Sequence, residues 1–320
     1  MKKVDFFIIG NPKSGTTTYY NLLKLHPEVF LPRYKELRYF CTDLHRESDQ
    51  YHGAKIHYPV RTIEQYQGFY KDAKAHQFLG EVTPHYAFSK EAAKNIYEYN
   101  PDAKIILFLR EPASFIESLH RELSGHLSEN QKDLFIALDL EEQRRKGEAL
   151  PEKVPTPRYL FYSEWTNFYK QIQRYVELFG AKQIKVIFLK QIATDEKKVL
   201  KDILKFIGTK NTDFYPEGEI FRNKSKTLRF KSLWKFLKNP SVLKFIRKVV
   251  PLKLFSVLDR LVFKIFLTPA KEGQIKKLDD NERHLLKKRY KKNVVDLNRY
   301  LNKENLIDFN LVKFWGYEDI

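Results

Sequence analysis

Through its first two hundred residues this chain alternates short apolar runs with stretches whose apolar residues recur at helical spacing. Residues 6–9, 77–81, 104–109 and 184–189 are brief β-branched or aromatic runs that read as buried strands. Between them, 16–25, 90–97, 114–123, 165–179 and 197–207 carry an amphipathic helical period, the last stopped by Gly208. Strands alternating with helices predict a mainly parallel sheet covered on both faces. After Gly208 the strand signal fades. Residues 211–223 read as a loop with Pro216 and Gly218, and a basic, apolar, helical region follows, broken near Pro240, Pro251 and Pro269. A long final helix is expected, capped by Asp279 with Glu282 three residues on, running towards Leu301.

No internal repeat or composition break divides the 320 residues. The reading is one domain over 1–320, with a nucleotide-binding core to about residue 210 and a closing loop plus basic helical region beyond it. Hydrophobic residues at 42% and aromatics at 15% are enough for a large core. Met1-Lys2-Lys3 before an apolar run resembles a leader, but Asp5 interrupts the run and Gly10 ends it, so a first strand is expected. No apolar stretch reaches the roughly 20 residues of a membrane span. Cys41 is the sole cysteine, which excludes an intramolecular disulfide and a cysteine-based zinc site. The expected location is cytoplasmic.

Net charge is +18, unevenly spread. Residues 224–271 hold 13 Lys or Arg against one acid, Asp259. Such a run is either a solvated face or a surface for an anion: a phosphate-bearing nucleotide, an acidic glycan or a lipid headgroup. Residues 242–266, apolar among lysines, would suit peripheral contact with an anionic membrane or a helical core with a basic outer face. No nucleic-acid motif accompanies the charge.

The first predicted strand runs into Gly10-Asn11-Pro12-Lys13-Ser14-Gly15-Thr16-Thr17-Thr18. The two glycines keep the spacing of an ATP-binding G-x-x-x-x-G-K-[ST] loop, but Thr16 stands where that loop has lysine, and Lys13 lies inside. Backbone N–H groups of Ser14 to Thr17, converging at a helix N-terminus, still suit a phosphate. An ordinary strand-to-helix turn is the plain alternative.

A second strand ends in Arg110 rather than in the aspartate that often serves a Mg²⁺ site. Arginine's fork suits a phosphate, and Ser118 lies two turns into a helix starting near Pro112. Arg110 would otherwise pair with Glu111 or Glu117. Together the two segments describe a ligand with two separate phosphates, and neither offers an evident metal-binding carboxylate.

These residues resemble the sulfotransferases that use 3′-phosphoadenosine 5′-phosphosulfate (PAPS). Lys13 to Thr17 is similar to their 5′-phosphosulfate loop, and Arg110 through Ser118 to their 3′-phosphate motif. Lys35-Glu36-Leu37-Arg38-Tyr39-Phe40 resembles a segment of the carbohydrate (heparan-type) branch and its bacterial relatives. Gly80 to Tyr86 is similar to their second strand-end segment, and Asn223 to Arg229 to the loop that closes over the nucleotide. The chain departs from some heparan-type enzymes at Arg38 and Cys41, where they have histidine and aspartate, positions that bear on acceptor recognition.

The resemblance implies a P-loop-type three-layer α/β fold with a central parallel sheet and a helical C-terminal region. It implies metal-independent in-line transfer of a sulfuryl group from PAPS to an acceptor hydroxyl, on a carbohydrate or lipid-linked sugar. Glu36 would be the base, its pKa raised by partial burial, and Lys13 would stabilise charge on the leaving phosphate. Ser14, Gly15, Thr16, Thr17, Thr18, Arg110 and Ser118, with Lys226 and Arg229 from the closing loop, would hold the nucleotide. Glu36 would otherwise be a solvent-exposed partner of Lys35 or Arg38. Two rival functions are a P-loop nucleotide kinase and a non-enzymatic polyanion binder.

Overall fold

The computed structural model describes residues 2–216, 226–228, 242, 267–269 and 278–320. Five strands, β1 (Phe6–Gly10), β2 (Val29–Phe30), β3 (Phe78–Val82), β4 (Lys104–Leu109) and β5 (Ile184–Phe188), form one sheet in the order β2-β3-β1-β4-β5. Every pairing in it is parallel. The chain leaves β1 towards one edge, returns to β3 beside it, then crosses to β4 on the other flank. Ligands of open α/β sheets bind at such a reversal, outside the carboxyl ends of the strands.

Alternation along the strands divides the core. Phe6, Ile8, Ile106 and Phe108 pack with α1 (Thr16–Lys24) and, further along the chain, the helix Glu196–Ile207. Phe7, Ile9, Ile105, Leu107 and Leu109 face the opposite layer, built largely from aromatic and aliphatic side chains of the other helices. Those helices are α2 (Thr42–His52), α3 (Ile63–Gln67), α4 (His85–Phe88), α5 (Ala92–Tyr99), α6 (Pro112–Gly125), α7 (Leu134–Asp139), α8 (Glu141–Arg145), α9 (Tyr162–Thr166) and α10 (Phe168–Phe179). After β5 come α11 (Leu189–Thr194), α12 (Glu196–Ile207), α13 (Asp280–Lys303) and α14 (Leu311–Phe314). Helices on both faces of a parallel sheet make the expected three-layer fold.

Asp279 caps α13 through the expected box with Glu282, and Leu286, Tyr290, Val294 and Leu297 bury one stripe against α6 and α10. Gly208, at φ +101, ends α12. The stretch 165–179 is two helices, because Asn167 leaves helical geometry and its side chain caps α10 by accepting from Lys170 N. Strand β2 and helix α2 carry too little apolar periodicity for the sequence to announce them.

The basic region is not helical at its two ends. Lys226–Leu228 (β6) and Leu267–Pro269 (β7) pair antiparallel, with Lys226 opposite Pro269. Such a pairing depends on residues about forty positions apart, which local patterning does not encode. Arg229 and, apart from Val242, the stretch 242–266 lie outside the described residues. No helix among the described residues is long and apolar enough to cross a membrane.

Candidate active site

The site forms where the carboxyl ends of β1, β3 and β4 open. Gly10 ends β1 at φ +125, and a Cβ there would lie 2.1 Å from the carbonyl oxygen of Phe108 on β4. Glycine is therefore required for the two strands to close around the loop. Lys13 adopts φ +64 and Gly15 φ +94, which turns the chain into α1. Among the described residues, the N–H groups of Ser14, Gly15, Thr16 and Thr17 have no protein partner. The Ser14 hydroxyl and the Nδ2 of Asn11 are buried and also without one. Orphan donors at a helix N-terminus, beside the exposed ammonium of Lys13, fit an anionic group.

Arg110 follows β4. Its N–H donates to the Asn11 side chain at 3.2 Å and its Nη1 to the Lys13 carbonyl at 3.3 Å, tying the second motif to the first. The local acids are engaged elsewhere. Glu111 caps α6 by accepting from Ala113 N and Ser114 N and receives the Tyr317 hydroxyl, while Glu117 pairs with Arg121 at 3.3 Å. Arg110 has no ion pair among the described residues, so its charge remains available for a ligand. Ser118 is buried on α6 and makes no hydrogen bond to Arg110.

Glu36 is fixed to the sheet by its own N–H, which donates to Val82 O at the end of β3. Its carboxylate meets Lys35 Nζ at 2.9 Å and Arg38 Nη2 at 2.6 Å, with His85 Nδ1 at 3.7 Å. The side chain is only 27% exposed, so it is not the solvent-exposed partner of the plain alternative, although both named cations do hold it. Burial alone would push its pKa up, but Lys35, then Arg38, outweigh burial and hold it well below the usual carboxylate range. The expected rise in pKa is therefore reversed: the cations close by stabilise the charge more than burial penalises it. Glu36 and Arg38 take positive φ, +65 and +55, as Lys13 does. Three non-glycine residues in the left-handed region at one site are strain that the surrounding contacts sustain.

Three residues given no role from the sequence stand near Glu36 or Ser118, although Glu81 and His85 belong to the Gly80 to Tyr86 segment. His85 opens α4 directly after β3, buried against Tyr159 and Trp165, with Nδ1 unpartnered. Burial, then Arg38, pushes its pKa down to about 3, so the ring is neutral. Glu81, also on β3, accepts hydroxyls from Tyr66, Thr83 and Tyr86 at 2.7 Å each, and burial lifts its pKa to about 7. Glu122 on α6 is acted on electrostatically by Lys13, Glu36, Lys35 and Arg38; its spacing of four from Ser118 is the one sequence signal that could have marked it. Lys226 stands on β6, and Arg229 lies outside the described residues. No cluster of three or more His, Cys, Asp or Glu placed for a metal ion occurs among the described residues.

A loop with unpartnered donors, an arginine without an ion pair among the described residues and a cation-clamped carboxylate, all on a parallel sheet, fit a group-transfer enzyme of the α/β class. The chain belongs to the sulfotransferase family: the model of the sulfotransferase domain matches residues 3–247. Bifunctional heparan sulfate N-deacetylase/N-sulfotransferase 4 of Mus musculus is 26% identical over 224 residues, covering 68% of this chain and 23% of that protein. Membrane-associated sulfotransferase kil1 of Dictyostelium discoideum is 31% identical over 108 residues, 34% of this chain and 20% of that protein. The chain thus spans under a quarter of the length of these relatives. A crystal structure of a sulfotransferase from Alicyclobacillus acidocaldarius superposes with a TM-score of 0.67 at 20% identity, over 99% of this chain and 100% of that one, a likeness of fold.

Proposed function

We propose that this protein transfers a sulfuryl group from PAPS to a hydroxyl or amine of a carbohydrate or lipid-linked sugar. The observation that supports the reading is the link between Arg110 and the Lys13 loop, which brings two candidate anion-binding groups together at the carboxyl ends of β1 and β4, with no carboxylate in ion-pair contact with Arg110 among the described residues. Lys13 and the amides of Ser14 to Thr17, with the hydroxyls of Thr16 to Thr18, are assigned to the 5′-phosphosulfate. Arg110 and Ser118 are assigned to the 3′-phosphate, with Lys226 and Arg229 from the closing loop. Positioning supplies much of the rate, and Lys13 with the loop amides meets the charge that develops on the departing phosphate oxygen. Glu36, ionised by its cations, contacts the acceptor. Cations and amides suffice for this charge, so the reading includes no metal. The carbohydrate class is carried over from relatives named for heparan sulfate.

Thermal-shift measurements with 3′-phosphoadenosine 5′-phosphate (PAP) against Mg-ATP test the donor. Stabilisation by PAP is expected; stabilisation by Mg-ATP alone supports a kinase, and no response to either favours a polyanion binder. A panel of sugar, glycolipid and small-alcohol acceptors with radiolabelled donor tests the acceptor. A cytoplasmic place, with the basic region resting on anionic membrane, completes the proposal; absence of binding to phosphatidylserine vesicles at moderate salt removes the membrane part.

A further inference from the structure

Glu122 lies four residues beyond Ser118 on α6, so both side chains project from the same face of the helix. Its Oε2 is closed off from solvent and has no hydrogen-bond partner among the described residues. A buried carboxylate oxygen left without a donor is costly, and charged groups from two other segments act on it electrostatically. Those groups are Lys13 from the loop after β1, then Glu36, Lys35 and Arg38 from the segment after β2. Each oxygen of Glu36 already accepts from a cation, one from Lys35 and the other from Arg38. The site therefore holds two carboxylates in different states, one clamped between cations and one with an open acceptor oxygen.

We infer that the proton of the acceptor ends on Glu122, while Glu36 orients the acceptor and fixes Lys35 and Arg38. The inference rests on the sulfuryl-transfer reading above. In the step, the acceptor's O–H or N–H bond breaks and a lone pair of that atom forms the new bond to sulfur. The bond from sulfur to the bridging oxygen of the 5′-phosphate breaks, its electron pair staying on that oxygen beside Lys13. The released proton binds Oε2 of Glu122, which completes the balance without a further reactant. Basicity favours the same assignment. Burial pushes Glu122 up, against the pull of Lys13, whereas the cations around Glu36 hold it low despite burial. A carboxylate held that low takes a proton poorly; one pushed upward is better matched to general-base work.

The test measures PAP formation from PAPS over the carboxylate pH range, with de-N-sulfated heparin oligosaccharides and simple sugars as acceptors and water as background acceptor. Glu122→Gln is expected to lower kcat roughly a hundredfold or more and to erase the acidic limb of the profile, with calorimetric PAP affinity within a few-fold of wild type. Glu122→Asp should recover part of the rate together with the limb. Glu36→Gln should slow the reaction yet keep the limb. The inference is overturned if Glu122→Gln turns over within a few-fold of wild type, keeps the acidic limb, or loses PAP binding. Absence of PAP binding by the wild-type protein strikes the sulfuryl-transfer reading instead.

Discussion

Arg110 donates from Nη1 to the main-chain carbonyl of Lys13 at 3.3 Å, so the cation after β4 also braces the strained loop after β1. One group thus serves two ends of the site. Its remaining N–H donors meet no carboxylate among the described residues, since Glu111 and Glu117 are hydrogen-bonded or paired elsewhere.

Arg110→Ala should therefore weaken PAP binding by about ten- to hundredfold, the worth of a lost charge-assisted contact, measured by calorimetry. Arg110→Lys should rescue little, because a point charge cannot brace the Lys13 carbonyl and grip a phosphate in one fork. An affinity unchanged by the alanine would remove Arg110 from the nucleotide site.

Gly10→Ala should destabilise the fold by roughly 3 kcal/mol or more, since the new methyl meets the Phe108 carbonyl at a backbone angle that L-residues rarely adopt. Denaturant melts measure this. A loss below 1 kcal/mol (roughly the effect of an ordinary surface change) would mean that β1 and β4 part easily.

Glu36→Gln should lower turnover by about a hundredfold while leaving PAP affinity nearly intact. The same carboxylate bears on stability. Its folded pKa lies below the unfolded one, so its contribution is present at neutral pH and fades as pH falls below the ordinary carboxylate range. The variant should accordingly lose less stability on acidification than wild type does. Turnover near the wild-type rate would sink the assignment.

His85 adds a second pH effect of known sign. Its ring is held neutral down to about 3 in the fold, whereas the unfolded imidazole titrates near 6.5. Between those values the unfolded chain binds the proton that the fold refuses. Stability is full above the unfolded value and falls on acidification, by at most about 1.4 kcal/mol for each pH unit. His45, pushed down to about 4 mainly by burial, acts in the same direction. The melting temperature of His85→Gln should drop less than that of wild type between about pH 6.5 and pH 5. Equal slopes would exclude the effect.

Much of this molecule is written locally. Four of the five sheet strands announce themselves as apolar runs, and Gly208 and the Asp279–Glu282 box end and begin their helices as expected. The loop around Lys13 and the arginine ending β4 were legible as well, because a strand feeding a helix through spaced glycines is a local signature. Strand β2 has two residues, too few for a period, and β6 finds its partner only across a long insertion. Asn167 divides one apparent helix, because a capping side chain there overrides a period that runs through it.

The sequence by itself determined where four of the five sheet strands run and which strand-to-helix loop turns on spaced glycines, since both follow from short-range pattern and backbone chirality. What the carboxylates can do was decided by tertiary structure alone. Lys35 and Arg38 flank Glu36 in the sequence, but only the fold turns both onto it, with Glu36 and Arg38 at left-handed backbone angles, and sets His85 beside it. Glu122 reaches the same charges from a helix more than eighty residues away. Proton affinity depends on burial and on charges in space, and neither is a property of neighbours along the chain.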